Sequence, residues 1–155
     1  MNQLLPIVLL LAAVFVVMSR LHKVDLGHSA AYKRRRFLNW FPLGLTYAFL
    51  YMGRYNLSAN ASLLDERGLL TKEQFGNVDF WASITYGVAF LLNGPLTDRW
   101  GGRVTILISA IGSAAMNALL GVVVWKAGQG QWTDKGQFLT AVTVLSAANM
   151  YFQSF

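Results

Sequence analysis

"GPLTDRWGGRV", residues 94–104, separates two long apolar runs and decides how the chain is to be read. Pro95 has no backbone N–H to donate and interrupts a helical ladder, so Gly94 and Pro95 are expected to end one helix. Gly101 and Gly102 permit a hairpin tighter than side chains would allow. Asp98 stands close to the start of the next run, where a helix N-terminus favours negative charge. Arg99 and Arg103 complete a charged cluster. The expectation is a short, well-made turn joining two helices.

Working outward, the flanking runs cover about residues 78–96 and 104–125, and a third lies at 37–64. Each meets the roughly 20 residues that a spanning helix needs. A shorter run, "LLPIVLLLAAVFVVM", occupies residues 4–18, and a fifth begins near Gln137 and is still apolar at Phe155. That open end reads as the front part of a longer protein. Of the 155 residues, 55% are hydrophobic and 13% charged, against about 25% charged in soluble domains. The composition points to an all-α membrane protein. There are no cysteines, so disulfide and thiolate chemistry is absent. His22 and His28 share one polar linker, match no metal spacing and read as solvated. No paired carboxylates, metal-spaced histidines or activated nucleophile are present, so the chain is read as no enzyme, with no cofactor.

Residues 20–36 hold six Lys and Arg against Asp25 alone, a local charge of +5 out of the chain's net +6. Wedged between apolar segments, this cluster is explained by the positive-inside rule and needs no nucleic acid. The tetrad "KRRR", residues 33–36, is then cytoplasmic, "DERGLLTKEQFGN" an external loop, "TDRWGGR" cytoplasmic and "KAGQGQWTDKGQ" external. The first run could instead be a signal peptide with "HSAA" as its cleavage region. Its n-region, "MNQ", has no basic residue, which favours a retained helix with its N-terminus outside. The domains read as an extra helix at 1–21, a basic cytoplasmic linker at 22–36 and a bundle from 37 to 155. "NLS" and "NAS", at 56–58 and 60–62, match the glycosylation pattern but lie in or at the end of a spanning helix, and are discounted.

"YMGRYN", residues 51–56, places Arg54 within about 6 Å of the middle of the 37–64 run at 1.5 Å per residue. An arginine there costs about 2.5–3.5 kcal/mol on insertion scales and usually faces a cavity. Tyr47, Tyr51, Arg54 and Ser58 share one helical face. Gly53, Asn56 and Asn60 form another, suited to packing. Guanidinium is planar and binds phosphate or carboxylate bidentately, so the stripe reads as an anion site; the alternative is a purely structural ion pair. In the next run Asp79, Ser83, Tyr86 and Asn93 line one side, with Phe90 between. Asp79 reads either as a titrating group in a proton relay or as an interfacial residue near a helix start. Ser109, Ser113, Asn117 and Gly121 recur every fourth residue, a ridge of small residues for close packing.

"GPLTDRWGGR" closely resembles the signature between the second and third helices of the major facilitator superfamily. Gly94, Leu96, Asp98, Arg99, Gly101 and Arg103 match it, and the resemblance implies a cytoplasmic gate. "RRRFLNWFPLGLTYAFLYMGRYNLSANASLL", "GLLTKEQFGN", "SITYG" and "NMYFQSF" are similar to the organophosphate–phosphate antiporter branch of glycerol-3-phosphate and hexose-phosphate transporters. Tyr51, Arg54 and Asn56 match an element whose arginine binds substrate phosphate, and Tyr86 matches a pocket tyrosine. A lysine of the glycerol-3-phosphate transporter is replaced by Phe90, which weakens the case for a dianionic phosphate monoester. The likeness runs from about Lys33 to Phe155 and stops within the fourth family helix.

The resemblance implies a multi-pass transporter of the cell (inner) membrane. It would move an organic phosphate or related organic anion by alternating access, in exchange for inorganic phosphate. Arg54, Tyr47, Tyr51 and Tyr86 would bind substrate. The alternatives are a small membrane scaffold or assembly subunit, and a major facilitator symporter for another organic anion.

Overall fold

The structure, a computed structural model, describes residues 4–20, 27–132 and 134–155. Every regular element among them is helical. The chain divides into two compact units, Met1–Trp40 and Phe41–Phe155. Helix α1 (Leu4–Arg20) and the start of α2 (Ala30–Ala59) belong to the first unit. The bundle proper belongs to the second: the rest of α2, α3 (Ala61–Glu66), α4 (Lys72–Trp100), α5 (Gly102–Gly128) and α6 (Lys135–Gln153).

In the first unit, α1 is 17 residues long, about 26 Å at 1.5 Å per residue, a little short of a roughly 30 Å hydrocarbon layer. Its described side chains, from Val8 on, are exposed. This is the expected extra apolar helix. Helix α2 starts at a serine cap: Ser29 Oγ accepts from the Tyr32 backbone N–H at 3.3 Å, satisfying one of the four N–H groups a helix start leaves free. The basic tetrad at 33–36 therefore rides on the first turns of α2. The His28 and Tyr32 rings lie 4.4 Å apart beside it. The bound drawn at residue 21 falls outside the described residues, and the one drawn at residue 36 falls inside α2, which begins at Ala30.

In the second unit the boundaries follow from local chemistry. Helix α2 stops at Ala59, where Asn60 donates from its side chain to the Asn56 carbonyl at 2.9 Å. After α3, Gly68 takes φ 65° and the Leu69 and Leu70 N–H groups turn back to the Leu64 carbonyl, a glycine C-terminal motif. Thr71 and Gln74 then form a reciprocal capping box at the start of α4, each satisfying an orphan group of the other. "TKEQFGN", expected in a loop, is thus the cap and first turns of a helix. At the start of α6, Asp134 Oδ1 accepts from the Gly136 N–H at 2.8 Å.

The turn expected over residues 94–104 is far smaller. Helix α4 runs through Gly94 and Pro95 to Trp100, and α5 begins at Gly102. The junction is Gly101 alone, at φ 81° and ψ 149°, a conformation that only glycine adopts without strain. Pro95 does not break α4, since proline is tolerated inside helices that pack in bundles of this kind.

Helix α6 is the central member, packing along both α4 and α5, which touch each other far less. Gly112 of α5 lies directly against the Phe152 ring of α6. A buried apolar cluster of Leu64, Leu70, Val78, Leu120, Phe138 and Val142 closes the end beside α3. Elsewhere the pattern is inverted. Asn93, Thr105, Ser109, Ser113, Ser146 and Asn149 are buried, while Leu91 is 76% and Ile111 69% exposed. Small and polar interfaces with an apolar exterior suit a lipid surrounding. Among the described residues one helix, Gly102–Gly128, is long and apolar enough by itself to cross a membrane. The expectation of three such helices is met on that measure by α5 alone; α2 and α4 have the length, at 30 and 29 residues, but carry more polar positions.

Candidate functional site

Arg54 is half-buried in the second unit, and its partners among the described residues are all neutral. Its Nε donates to Gln153 Oε1 of α6 at 3.0 Å. Its guanidinium carbon lies 4.3 Å from the centre of the Tyr86 ring and 5.1 Å from that of Tyr51, both within cation–π range. Tyr47 donates its hydroxyl to Tyr51 at 3.0 Å, and their rings stand 4.7 Å apart. The face written in the sequence at Tyr47, Tyr51 and Arg54 is therefore real, and Tyr86 of α4 meets it from across the bundle.

The neutrality of this shell has a chemical consequence. A guanidinium has five N–H donors in a planar fork, and Gln153 takes one of them. No carboxylate is among Arg54's partners in the described residues. The positive charge is thus oriented but not cancelled, and the Nη edge keeps donors for a bidentate anion. A cavity of about 140 Å³ opens there, lined by Tyr47, Tyr51, Arg54, Tyr86, Ser109 and Gln153 among others. A second cavity, about 270 Å³, shares Arg54 and Tyr86 and adds Ser58, Asp79 and Ser83.

Gln153 is itself held. Its Nε2 donates to Ser113 Oγ at 3.0 Å and to Asn149 Oδ1 at 3.1 Å. Asn149 Oδ1 also accepts from Ser113 Oγ and from Asn117 Nδ2. The amide oxygen is therefore aimed at Arg54 because the amide nitrogen is anchored on α5. The Ser113 and Asn117 positions, read as a packing ridge, are a hydrogen-bonded support for the arginine. Gly53 completes this contact, since a Cβ there would meet Asn117 Nδ2 at 2.9 Å.

Over 134 residues the chain is 31% identical to the membrane sensor protein UhpC of Salmonella typhimurium (strain LT2). The match takes in 86% of this chain and 26% of UhpC, so the chain spans about a quarter of the length of that relative. At a coarse level the likeness to UhpC supports a major-facilitator-like relationship. No family profile and no solved structure matches the chain.

The remaining residues singled out in the sequence fall in separate places. Asp79 and Ser83 share the larger cavity with Arg54. Asn93 does not join them: it is buried, and its Nδ2 donates to Ser154 Oγ at 2.7 Å, pinning α4 to the end of α6. Phe90 stacks on Tyr86 at 6.3 Å and stays exposed. Gly94, Leu96, Asp98 and Arg99 ride on the last turns of α4, Gly101 is the junction, and Arg103 opens α5. Asp98, Arg99 and Arg103 are exposed. Sequence reasoning missed Gln153, Asn149 and Ser146 of α6. Asn149 and Gln153 stand four apart in an apolar helix, a spacing that puts two amides on one face.

Proposed function

We propose that this chain is the anion-binding portion of a membrane-embedded, multi-pass major-facilitator-type transporter in the cell (inner) membrane. Its substrate is an organic phosphate or a related organic anion, moved by alternating access in exchange for inorganic phosphate. Arg54 is the anion ligand, with Tyr47, Tyr51 and Tyr86 forming the wall around it. The reading rests on one observation: a guanidinium held by an amide and two aromatic faces, with its charge uncancelled. Such charges in membrane bundles mark substrate paths. Gly94, Leu96, Asp98, Arg99, Gly101 and Arg103 form the cytoplasmic gate, and Asp79 is the candidate for proton movement. The site binds and releases its ligand; it makes and breaks no covalent bond.

The likeness to a membrane sensor favours a second reading with the same site. There the anion is bound and its occupancy signalled, without turnover. One experiment separates the two. The complete protein is reconstituted in vesicles, and both binding and phosphate-driven uptake of organic phosphates are measured. A transporter shows both and loses both in Arg54→Lys, because an ammonium cannot reproduce the planar fork. A sensor shows binding alone, with the same dependence on Arg54. Unchanged binding in Arg54→Lys sinks the bidentate site under either reading.

A further inference from the structure

The larger cavity carries a charge pattern that a simple anion does not match. Arg54 and Asp79 both line it, and both line a smaller adjoining pocket with Ser58. Asp79 is exposed into this space, and Arg54's own partners are an amide and two rings. The carboxylate and the guanidinium therefore face one volume without pairing. Among the residues lining it there is one cation and one anion, a formal charge of zero.

That zero discriminates between ligands. A carboxylate lining the same space as Arg54 opposes an anionic group bound there. The same carboxylate attracts an ammonium placed beside it. Along α4, Asp79 precedes Tyr86 by seven residues, about 10 Å of helix at 1.5 Å per residue, and both side chains reach into the gap. Ser83 lies between them, and Ser58 stands one turn beyond Arg54 on α2. The space is thus cationic at one end, hydroxyl-lined in its middle and anionic at the other.

We infer that the ligand is a zwitterion, an ammonium-bearing organic phosphate monoester of the aminoalkyl type. Its phosphate sits on Arg54 and its ammonium on Asp79, with the Ser58 and Ser83 hydroxyls beside the linking chain. This deepens the anion-site reading and rests on Arg54 being the phosphate ligand.

The test uses the complete protein in lipid nanodiscs. Aminoalkyl phosphates of two and four carbons are titrated against their hydroxyalkyl counterparts by calorimetry. Wild type is expected to prefer the amino form by about tenfold or more. Asp79→Asn is expected to weaken the amino ligand about tenfold and to leave or improve the hydroxy ligand; Asp79→Glu keeps the preference. Equal wild-type affinities, or an Asp79→Asn variant that weakens both ligands alike, overturn the inference, and the wild-type comparison needs no variant to fold. Loss of proton dependence with the preference intact also overturns it and leaves Asp79 to proton movement. If the hydroxy ligand binds through Arg54 without discrimination, only the zwitterion falls. If Arg54→Gln changes neither ligand, the anion site itself falls.

Discussion

Replacing Gln153 by glutamate changes one atom pair and inverts the electrostatics of the cradle. In the present structure Gln153 Oε1 accepts from Arg54 Nε at 3.0 Å while Nε2 is tied to Ser113 and Asn149. A carboxylate at that place pairs directly with the guanidinium. It also sits across Arg54 from any anion bound on the Nη edge, so a separation of roughly 8 Å and an effective dielectric of about 20 give about 2 kcal/mol of repulsion per ligand charge. That is about thirtyfold in affinity for a monoanion. Gln153→Met removes the hydrogen bonds without adding charge, and a loss nearer about 1 kcal/mol is expected. Calorimetric titration of a phosphate monoester into the complete protein, for both variants, gives the comparison. A glutamate variant that binds the anion as tightly as wild type, or more tightly, refutes the proposal that Arg54 presents free charge to a ligand.

Two further outcomes follow from packing and capping. Gly112→Ala drives a methyl group into the Phe152 ring, and overpacking of this kind costs about 1–3 kcal/mol. Thermal melting in detergent should fall, while Gly121→Ala, where a Cβ meets nothing within 4 Å, should not lower it. Thr71→Ala dissolves the capping box at the start of α4 and should cost about 1 kcal/mol, seen as faster amide exchange in residues 72–75 and little change elsewhere.

The long helices are legible because apolar length is a strong signal, and α4 and α5 contain the apolar runs; the short α3 is not, since its first residues read as the end of the 37–64 run. Nor are the ends. A capping box is built from polar residues, so "TKEQFGN" reads as loop to any scheme that counts apolar positions, although those residues start α4. Pro95 misled for the opposite reason: its local rule predicts a break, and the surrounding bundle overrides it. The cradle was half legible. Tyr47, Tyr51 and Arg54 lie on one helix, where a 100° step per residue predicts a shared face. The position of Tyr86 relative to Arg54 depends on how α2 and α4 meet, and no periodicity carries that. Gln153 was invisible as a partner because it is 99 residues away from Arg54 in the chain. The Ser113 and Asn117 ridge reads as packing in the sequence, since hydroxyls and amides look alike there whether they fill space or hold another side chain.

Gly101 joins two rods, and its position sets their leverage. Helix α4 has 29 residues and α5 has 27, so each rod is about 40 Å long or slightly more at 1.5 Å per residue. A swing of about 10° at that one residue displaces the far end of either rod by about 7 Å, roughly the breadth of a phosphate and its first atoms, by the same helix dimensions. There is no slack segment to absorb the motion. Helix α6 packs along both arms and carries the amide that aims Arg54, so a change of angle at Gly101 alters the seat of that amide. The junction and the arginine are thus joined through one shared helix.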